Sequence, residues 1–102
     1  MAKIKVWISE PGNNPRHVWI SNKLENLQKT VAGYIENYAL SPKVGIICNE
    51  EGMFNNCKFN CRIDDQYFFG TIIFVGYDGE EFANCPLELD EMKKYFPQLW
   101  RK

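Results

Sequence analysis

Residues 67–76 read YFFGTIIFVG and contain the longest apolar run in the chain. Aromatic and β-branched side chains dominate this run, and both types favour β-strands. The run is much shorter than the roughly 20 apolar residues that a membrane-spanning helix needs. A short, strongly apolar segment bounded by glycine is typical of a buried strand. We therefore predict that Tyr67–Gly76 forms the central strand of a sheet.

Four further segments have the pattern of strands. Lys3–Ser9 and Arg16–Ser21 alternate apolar and polar side chains, and the turn formers between them predict a hairpin with an irregular loop. Strand formers also predict strands over Tyr34–Ala39 and Val44–Cys48. The polar residues 53–66 predict an irregular loop.

Two helices are predicted from apolar spacing. An apolar stripe within Leu24–Val31 indicates the first helix, and Gly33 is expected to end it in a left-handed conformation. Helical spacing over Leu87–Trp100 indicates the second helix, which Pro97 should end or kink.

The order of elements is thus β-β-α-β-β-β-α, which predicts an α+β fold. We expect one domain over residues 1–102, with a single antiparallel or mixed sheet of about five strands and two helices. A β-grasp-like arrangement fits the first five elements.

Composition and charge exclude several classes of protein. The chain has 102 residues, of which 45% are hydrophobic and 25% charged, as in ordinary globular proteins. A net charge of −1 gives no field that would attract nucleic acid or an anionic membrane. The amino terminus lacks the pattern of a signal peptide, so we expect a cytoplasmic protein with reduced thiols and no membrane association.

Neither a metal site nor a catalytic centre is expected. Structural zinc sites usually have paired cysteines with two residues between them, whereas the closest pair here, Cys57 and Cys61, has three residues between them. His17 is the sole histidine, and strand alternation places it beside Trp19 rather than beside a cysteine. We therefore expect partly buried thiols, no cofactor and a non-enzymatic protein. The four cysteines are Cys48, Cys57, Cys61 and Cys85.

Residues 48–52, CNEEG, place a thiol, an amide and two carboxylates side by side. Neighbouring residues on a strand point to opposite faces, so Glu50 and Glu51 are poor partners for acid–base catalysis. The segment is typical of a hairpin tip in which Asn49 and Gly52 set the backbone and the carboxylates face water or a partner.

Two tryptophans are candidates for a partner surface. Trp7 and Trp19 share the outer face of the first predicted hairpin, and an uncovered apolar patch usually marks an interaction site. The alternative is that the carboxy-terminal helix, with Trp100, packs over them. The sequence favours neither possibility.

Four motifs carry a resemblance to a known family. They are Gly33-Tyr34-Ile35-Glu36, Cys48-Asn49-Glu50-Glu51-Gly52, Asn60-Cys61-Arg62 and Gly70-Thr71. Over about residues 3–96 the chain resembles domain of unknown function 3846, a family of short proteins from phages, plasmids and conjugative elements of bacteria. The block at residues 49–52 is the most specific part. The family more often has asparagine directly before arginine, so Cys61 is a departure.

The resemblance implies an accessory protein of a mobile element that antagonises a host defence system, as anti-CRISPR proteins do. Such a protein would bind a defence nuclease or effector inside the host bacterial cell. Its contact surface would be the Trp7/Trp19 face or the loop Glu50–Asp65, which includes Glu51. Within the family pattern, Asn49 and Asn60 look like residues that bond to backbone, with Asn60 holding its loop against the hairpin tip.

Two alternatives remain open. One is a protein that binds a small ligand or nucleotide in a polar pocket of Asn49, Glu50, Asn60 and Arg62, with Arg62 contacting phosphate. The other is a nucleic-acid-binding accessory protein of plasmid or phage replication, whose binding would depend steeply on salt. The sequence does not determine the oligomeric state, and a homodimer is compatible with all three hypotheses.

Overall fold

A computed structural model describes residues 3–100 of the chain. The first two and last two residues of the predicted domain, 1–2 and 101–102, lie outside the described part. The strands are β1 (Lys3–Ser9), β2 (Arg16–Ser21), β3 (Ile35–Ala39), β4 (Val44–Asn49), β5 (Phe59–Ile63), β6 (Gln66–Phe69), β7 (Ile72–Asp78) and β8 (Glu81–Ala83). The helices are α1 (Leu24–Val31) and α2 (Leu89–Tyr95), and a 3-10 turn follows at Pro97–Leu99. The predicted α+β class is confirmed, and the β-grasp-like detail stays a prediction. No helix within residues 3–100 is both long and apolar enough to span a bilayer.

Two antiparallel sheets are present. The main sheet has the order β2-β1-β7-β4-β3, with β8 paired to the end of β7, while β5 and β6 form a separate two-stranded sheet. Strand β7 pairs with β1 through residues 72–74 and with β4 through residues 73–76. The prediction of a central strand in this part of the sequence is therefore confirmed for Ile72–Gly76.

The predicted strand Tyr67–Gly76 is, however, two strands. Gly70 has a φ of 79°, a conformation that side chains with a Cβ rarely adopt, and it separates β6 from β7. Its N–H donates to the carbonyl of Lys58 at 2.7 Å, which holds the turn against the start of β5. The region 53–66 is therefore not entirely irregular, because β5 and the first residue of β6 lie in it.

The main sheet is covered on both faces. Helix α1 packs on one face, where the buried residues are Ile4, Val6, Ile8, Leu27, Val31, Ile47, Ile73 and Val75. Helix α2, the 3-10 turn and the β5–β6 hairpin cover the other face, whose buried residues are Trp7, Val44, Ile46, Cys48, Cys61, Ile63, Phe68, Ile72, Phe74, Cys85, Met92, Phe96 and Leu99. The main sheet thus lies between two covering layers. Its strand β7 is buried so completely that Ile72, Ile73 and Phe74 are each 0% exposed.

The end of α1 corrects one prediction about glycine. The left-handed residue is Ala32, with a φ of 64°, and Gly33 does not have a positive φ. Gly33 is instead required by space, because a Cβ there would lie 2.5 Å from Nδ2 of Asn49. At the other end of the chain, α2 stops at Tyr95, two residues before Pro97, as predicted.

Candidate functional site

Asn49 ties the end of β4 to the end of α1. Its side chain is 6% exposed, and its Nδ2 donates to the carbonyls of Val31 and Ala32, both at 3.1 Å. Its Oδ1 accepts the N–H of Glu51 at 2.8 Å. The last carbonyls of a helix have no partner within it, and Asn49 satisfies two of them. The side chain therefore bonds to backbone, as predicted, and fixes the direction of the turn that follows.

The segment Cys48–Gly52 does not close a hairpin, which corrects the prediction. Strand β4 pairs with β3 and β7, whereas β5 pairs with β6, so the turn leads from one sheet to the other. Gly52 is buried without a positive φ, and a Cβ there would lie 2.9 Å from the carbonyl oxygen of Phe69. Close approach to β6, rather than turn geometry, thus requires glycine. Glu50 and Glu51 are exposed, as expected.

Asn60 fastens the β5–β6 hairpin to the main sheet. The side chain is 4% exposed, and Nδ2 donates to the carbonyls of Ser9 at 2.9 Å and Gly70 at 2.8 Å. The Ser9 hydroxyl donates to Oδ1 at 3.4 Å. Asn60 therefore bonds to backbone as predicted, but it holds the hairpin against the end of β1 and not against the turn at Asn49.

Arg62 lies on the exposed side of the hairpin. Its Nε donates to the carbonyl of Asp64 at 2.9 Å, and its guanidinium lies 3.4 Å from a carboxylate oxygen of Asp65. The same group lies 5.9 Å from the ring centroid of Tyr67, within the range of a cation–π interaction. Contacts within the hairpin therefore occupy Arg62.

The four-residue polar pocket proposed from sequence is not assembled. Two clefts flank the turn after β4, and Asn49 and Glu50 line both of them, but Asn60 and Arg62 line neither. The first cleft, of about 280 Å³, is lined by Glu36, Cys48, Asn49, Glu50, Gly52, Met53, Phe54, Asp65, Gln66, Tyr67, Phe68 and Phe69. The second, of about 330 Å³, is lined by Gln28, Gly33, Tyr34, Asn49, Glu50, Glu51 and Asn55.

A group of exposed apolar side chains lies at and beside the first cleft. We call Met53, Phe54, Phe59 and Tyr67 the aromatic surface; they are 61%, 81%, 52% and 57% exposed. The ring of Phe59 lies 6.2 Å from that of Tyr67 and 5.6 Å from that of Phe69, measured between centroids. Met53 and Phe54 border the first cleft together with Tyr67.

Sequence reasoning missed the aromatic surface. One available signal was an apolar pair, Met53-Phe54, inside an otherwise polar stretch. A second was the alternation at Tyr67-Phe68, which sends adjacent rings to opposite faces of a strand. The assignment of Tyr67 to a buried central strand concealed this second signal.

The proposed tryptophan surface is wrong for Trp7 and remains open for Trp19. Trp7 is 3% exposed, donates from Nε1 to the carbonyl of Leu87 at 2.9 Å, and meets the ring of Trp100 edge-on at 6.2 Å. The carboxy-terminal segment thus covers Trp7. Trp19 is 56% exposed, and the ammonium of Lys5 lies 5.5 Å from its ring centroid.

The titratable groups with altered pKa values are not arranged as nucleophiles. Burial, assisted by the charge of Glu36, raises the pKa of the free thiol of Cys48 to about 11, so that it stays protonated at neutral pH. Burial also raises the pKa of Cys85. Burial and the charge of Lys5 lower the pKa of His17, against a smaller opposing effect of Glu88. Within residues 3–100, no three His, Cys, Asp or Glu side chains are grouped so that they could hold a metal ion.

Comparison with known proteins identifies a family. A family model described as "Domain of unknown function (DUF3846)" matches residues 4–99, which is nearly the whole chain. No match was found among curated proteins or among solved structures.

Proposed function

The chain belongs to the DUF3846 family, and from the surface described above we propose that it is a non-enzymatic binding protein that contacts another protein. The observation that carries this proposal is the aromatic surface, whose four large apolar side chains are each more than half exposed; three of them line the first cleft, and Phe59 lies against the ring of Tyr67. A contiguous apolar patch on a monomer is costly to leave in water and usually marks an interaction site. Aromatic residues also dominate the binding energy of protein interfaces.

Two of the four residues of the aromatic surface, Phe59 and Tyr67, lie on a firmly anchored hairpin. On the opposite side of the β5–β6 hairpin, Cys61, Ile63 and Phe68 are 3%, 4% and 2% exposed within the core. Asn60 adds two hydrogen bonds between the hairpin and neighbouring backbone. A surface that is already ordered loses little conformational entropy when a partner binds, which favours affinity.

We extend the proposal to the biological role. The protein would belong to a phage or other mobile element and would bind a host protein, a nuclease or effector of a defence system, in the bacterial cytoplasm. The family resemblance supports this role. The small-ligand and nucleic-acid alternatives remain predictions, and no feature of the described residues favours them over protein binding.

The test compares two pairs of exposed apolar residues. Affinity-tagged protein is incubated with lysate of a bacterial host, captured proteins are identified, and each is purified and titrated against three forms of the chain. These are the unmodified chain, the Phe54→Ser/Tyr67→Ser variant, and the matched control Trp19→Ser/Leu24→Ser. Trp19 and Leu24 are also exposed, at 56% each, but lie outside the aromatic surface.

We expect Phe54→Ser/Tyr67→Ser to weaken binding at least about 30-fold, which corresponds to one strong hot spot of about 2 kcal/mol. The control should bind within about threefold of the unmodified chain. Equal binding by all three forms, or loss only in the control, would show that the aromatic surface is not the contact. Failure to capture any host protein would contradict the proposed role.

A further inference from the structure

We infer that the first cleft receives an arginine side chain of the protein partner. This inference rests on the proposed function and names the chemistry by which the partner is recognised. Four properties of the cleft support it: its charge, the state of its carboxylates, its aromatic wall and its size.

The charged side chains that line the cleft are all acidic. Glu36, Glu50 and Asp65 line it, and the described residues that line it include no lysine, arginine or histidine. The effect of Glu36 extends into the cleft, since its charge contributes to the raised pKa of Cys48, which lines the same cavity. A partner that brings a cation therefore meets complementary charge at exposed carboxylates.

Two of these carboxylates have no cationic partner within residues 3–100. Asp65 is paired with Arg62 at 3.4 Å, whereas the other salt bridge among the described residues joins Arg16 to Glu10. Glu36 and Glu50 take part in neither. Glu36 lies on β3 and Glu50 in the turn after β4, and both line the cleft together with residues of β6.

Aromatic side chains line the cleft together with these carboxylates. Phe54 and Tyr67 line the cleft, and guanidinium groups stack on aromatic faces while bonding to carboxylates in their plane. The molecule already contains one example, because Arg62 lies 5.9 Å from the ring centroid of Tyr67 and pairs with Asp65. Arg62 itself is not among the residues that line the cleft.

The size of the cleft suits a single side chain. Pockets that enclose whole drug-sized molecules usually measure about 300–1,000 Å³. At about 280 Å³ the first cleft lies at the lower end of that range. An arginine side chain extended from a partner surface would fill such a cleft while the rest of the partner packs on the aromatic surface.

The experiment uses defined probes and the full chain. N-acetyl-arginine methylamide is titrated into isotope-labelled protein, and chemical shifts of residues lining the first cleft are followed by NMR. N-acetyl-citrulline methylamide, a neutral analogue of nearly the same shape, and N-acetyl-lysine methylamide are titrated in parallel. The variant Glu36→Gln/Glu50→Gln removes the unpaired charges, and Glu25→Gln/Glu81→Gln is its control at exposed carboxylates elsewhere.

We expect saturable shifts with a millimolar dissociation constant for the arginine probe, and binding at least tenfold weaker for citrulline and for Glu36→Gln/Glu50→Gln. The control should bind as the unmodified chain does. No saturable shifts, equal binding of arginine and citrulline, tighter binding of lysine, or an equal loss in both variants would overturn the inference. If a protein partner binds the unmodified chain but not Phe54→Ser/Tyr67→Ser, the proposed function stands in any of those cases. Conversely, the arginine titration reads the cleft alone and does not depend on partner capture.

Discussion

The centre of the main sheet and the β5–β6 hairpin use the same kinds of side chain in opposite ways. Trp7 and Phe74 lie in the main sheet, paired across β1 and β7, and are 3% and 0% exposed. Phe59 and Tyr67 lie on the hairpin and are 52% and 57% exposed. The difference is one of layers, because the main sheet is covered on both faces whereas the hairpin is covered on one. An aromatic side chain on a strand can therefore be assigned to the core only when it is known whether another layer of the fold covers it.

The largest expected effect is the loss of Trp7. Trp7→Ala removes a buried ring that contacts His17 and Trp100, and should lower the free energy of unfolding by about 3–5 kcal/mol. Trp19→Ala, at an exposed position on the paired strand, should cost less than about 1 kcal/mol. Chemical denaturation of both variants measures the contrast. Similar losses in the two would show that burial does not separate these tryptophans.

An intermediate effect is expected where α1 meets the turn after β4. Asn49→Ala removes the hydrogen bonds to Val31, Ala32 and Glu51 and should cost about 2 kcal/mol. Gly33→Ala should also destabilise, because its Cβ would lie 2.5 Å from Nδ2 of Asn49.

The double variant Gly33→Ala/Asn49→Ala tests whether the loss of stability in Gly33→Ala comes from contact with the Asn49 side chain. If the cost of Gly33→Ala comes from contact with Asn49, it should fall by at least about 1 kcal/mol in the Asn49→Ala background. Denaturant midpoints of the four proteins in this cycle provide the measurement. Strictly additive costs would mean that Gly33 is required for another reason.

A smaller effect should appear as a pH dependence at His17. Burial lowers its pKa from the ordinary value of 6.5, so the unfolded chain takes up the proton more readily than the folded chain. The stability conferred by the neutral ring is present above pH 6.5 and is lost as the pH falls below it. Melting temperatures at pH 7.5 and 5.5 should differ more for the unmodified chain than for His17→Phe, which keeps a ring against Trp7. An unchanged pH difference in His17→Phe would assign the effect to other groups.

The smallest effect on stability is expected at the aromatic surface. Phe54 is 81% exposed, so Phe54→Ser should change the free energy of unfolding by no more than about 0.5 kcal/mol. Chemical denaturation of Phe54→Ser and of the unmodified chain measures this difference. A loss comparable to that of Trp7→Ala would place Phe54 in the structural core and would sharply weaken its assignment to a partner surface.

The sequence predicted regular elements well where pattern and burial agree. Strands β1 and β2 and helix α1 follow local alternation or helical spacing, and they occur at the predicted positions. Short polar strands were missed, because β5 owes its stability to contacts with distant residues rather than to its own composition. Asn60 is an example, since its partner Ser9 lies 51 positions earlier.

The candidate site could be predicted only in part. The importance of the segment at Asn49 was visible, because asparagine and glycine beside a strand indicate a specific backbone. The first cleft could not be predicted, because it forms between the segment at Asn49 and strand β6. How closely these two parts of the chain approach each other depends on the break at Gly70. The burial of Trp7 likewise depends on where the carboxy-terminal segment packs, which the local pattern on β1 does not determine.

The break at Gly70 also determines how the two sheets depend on each other. A two-stranded hairpin has little stability on its own in water. A two-residue joint keeps β6 next to β7, so docking of the hairpin occurs at the high effective concentration of a tethered reaction. The aromatic surface consequently exists only while the main sheet is folded. By mass action, a partner that binds this surface should protect the entire domain against unfolding and proteolysis.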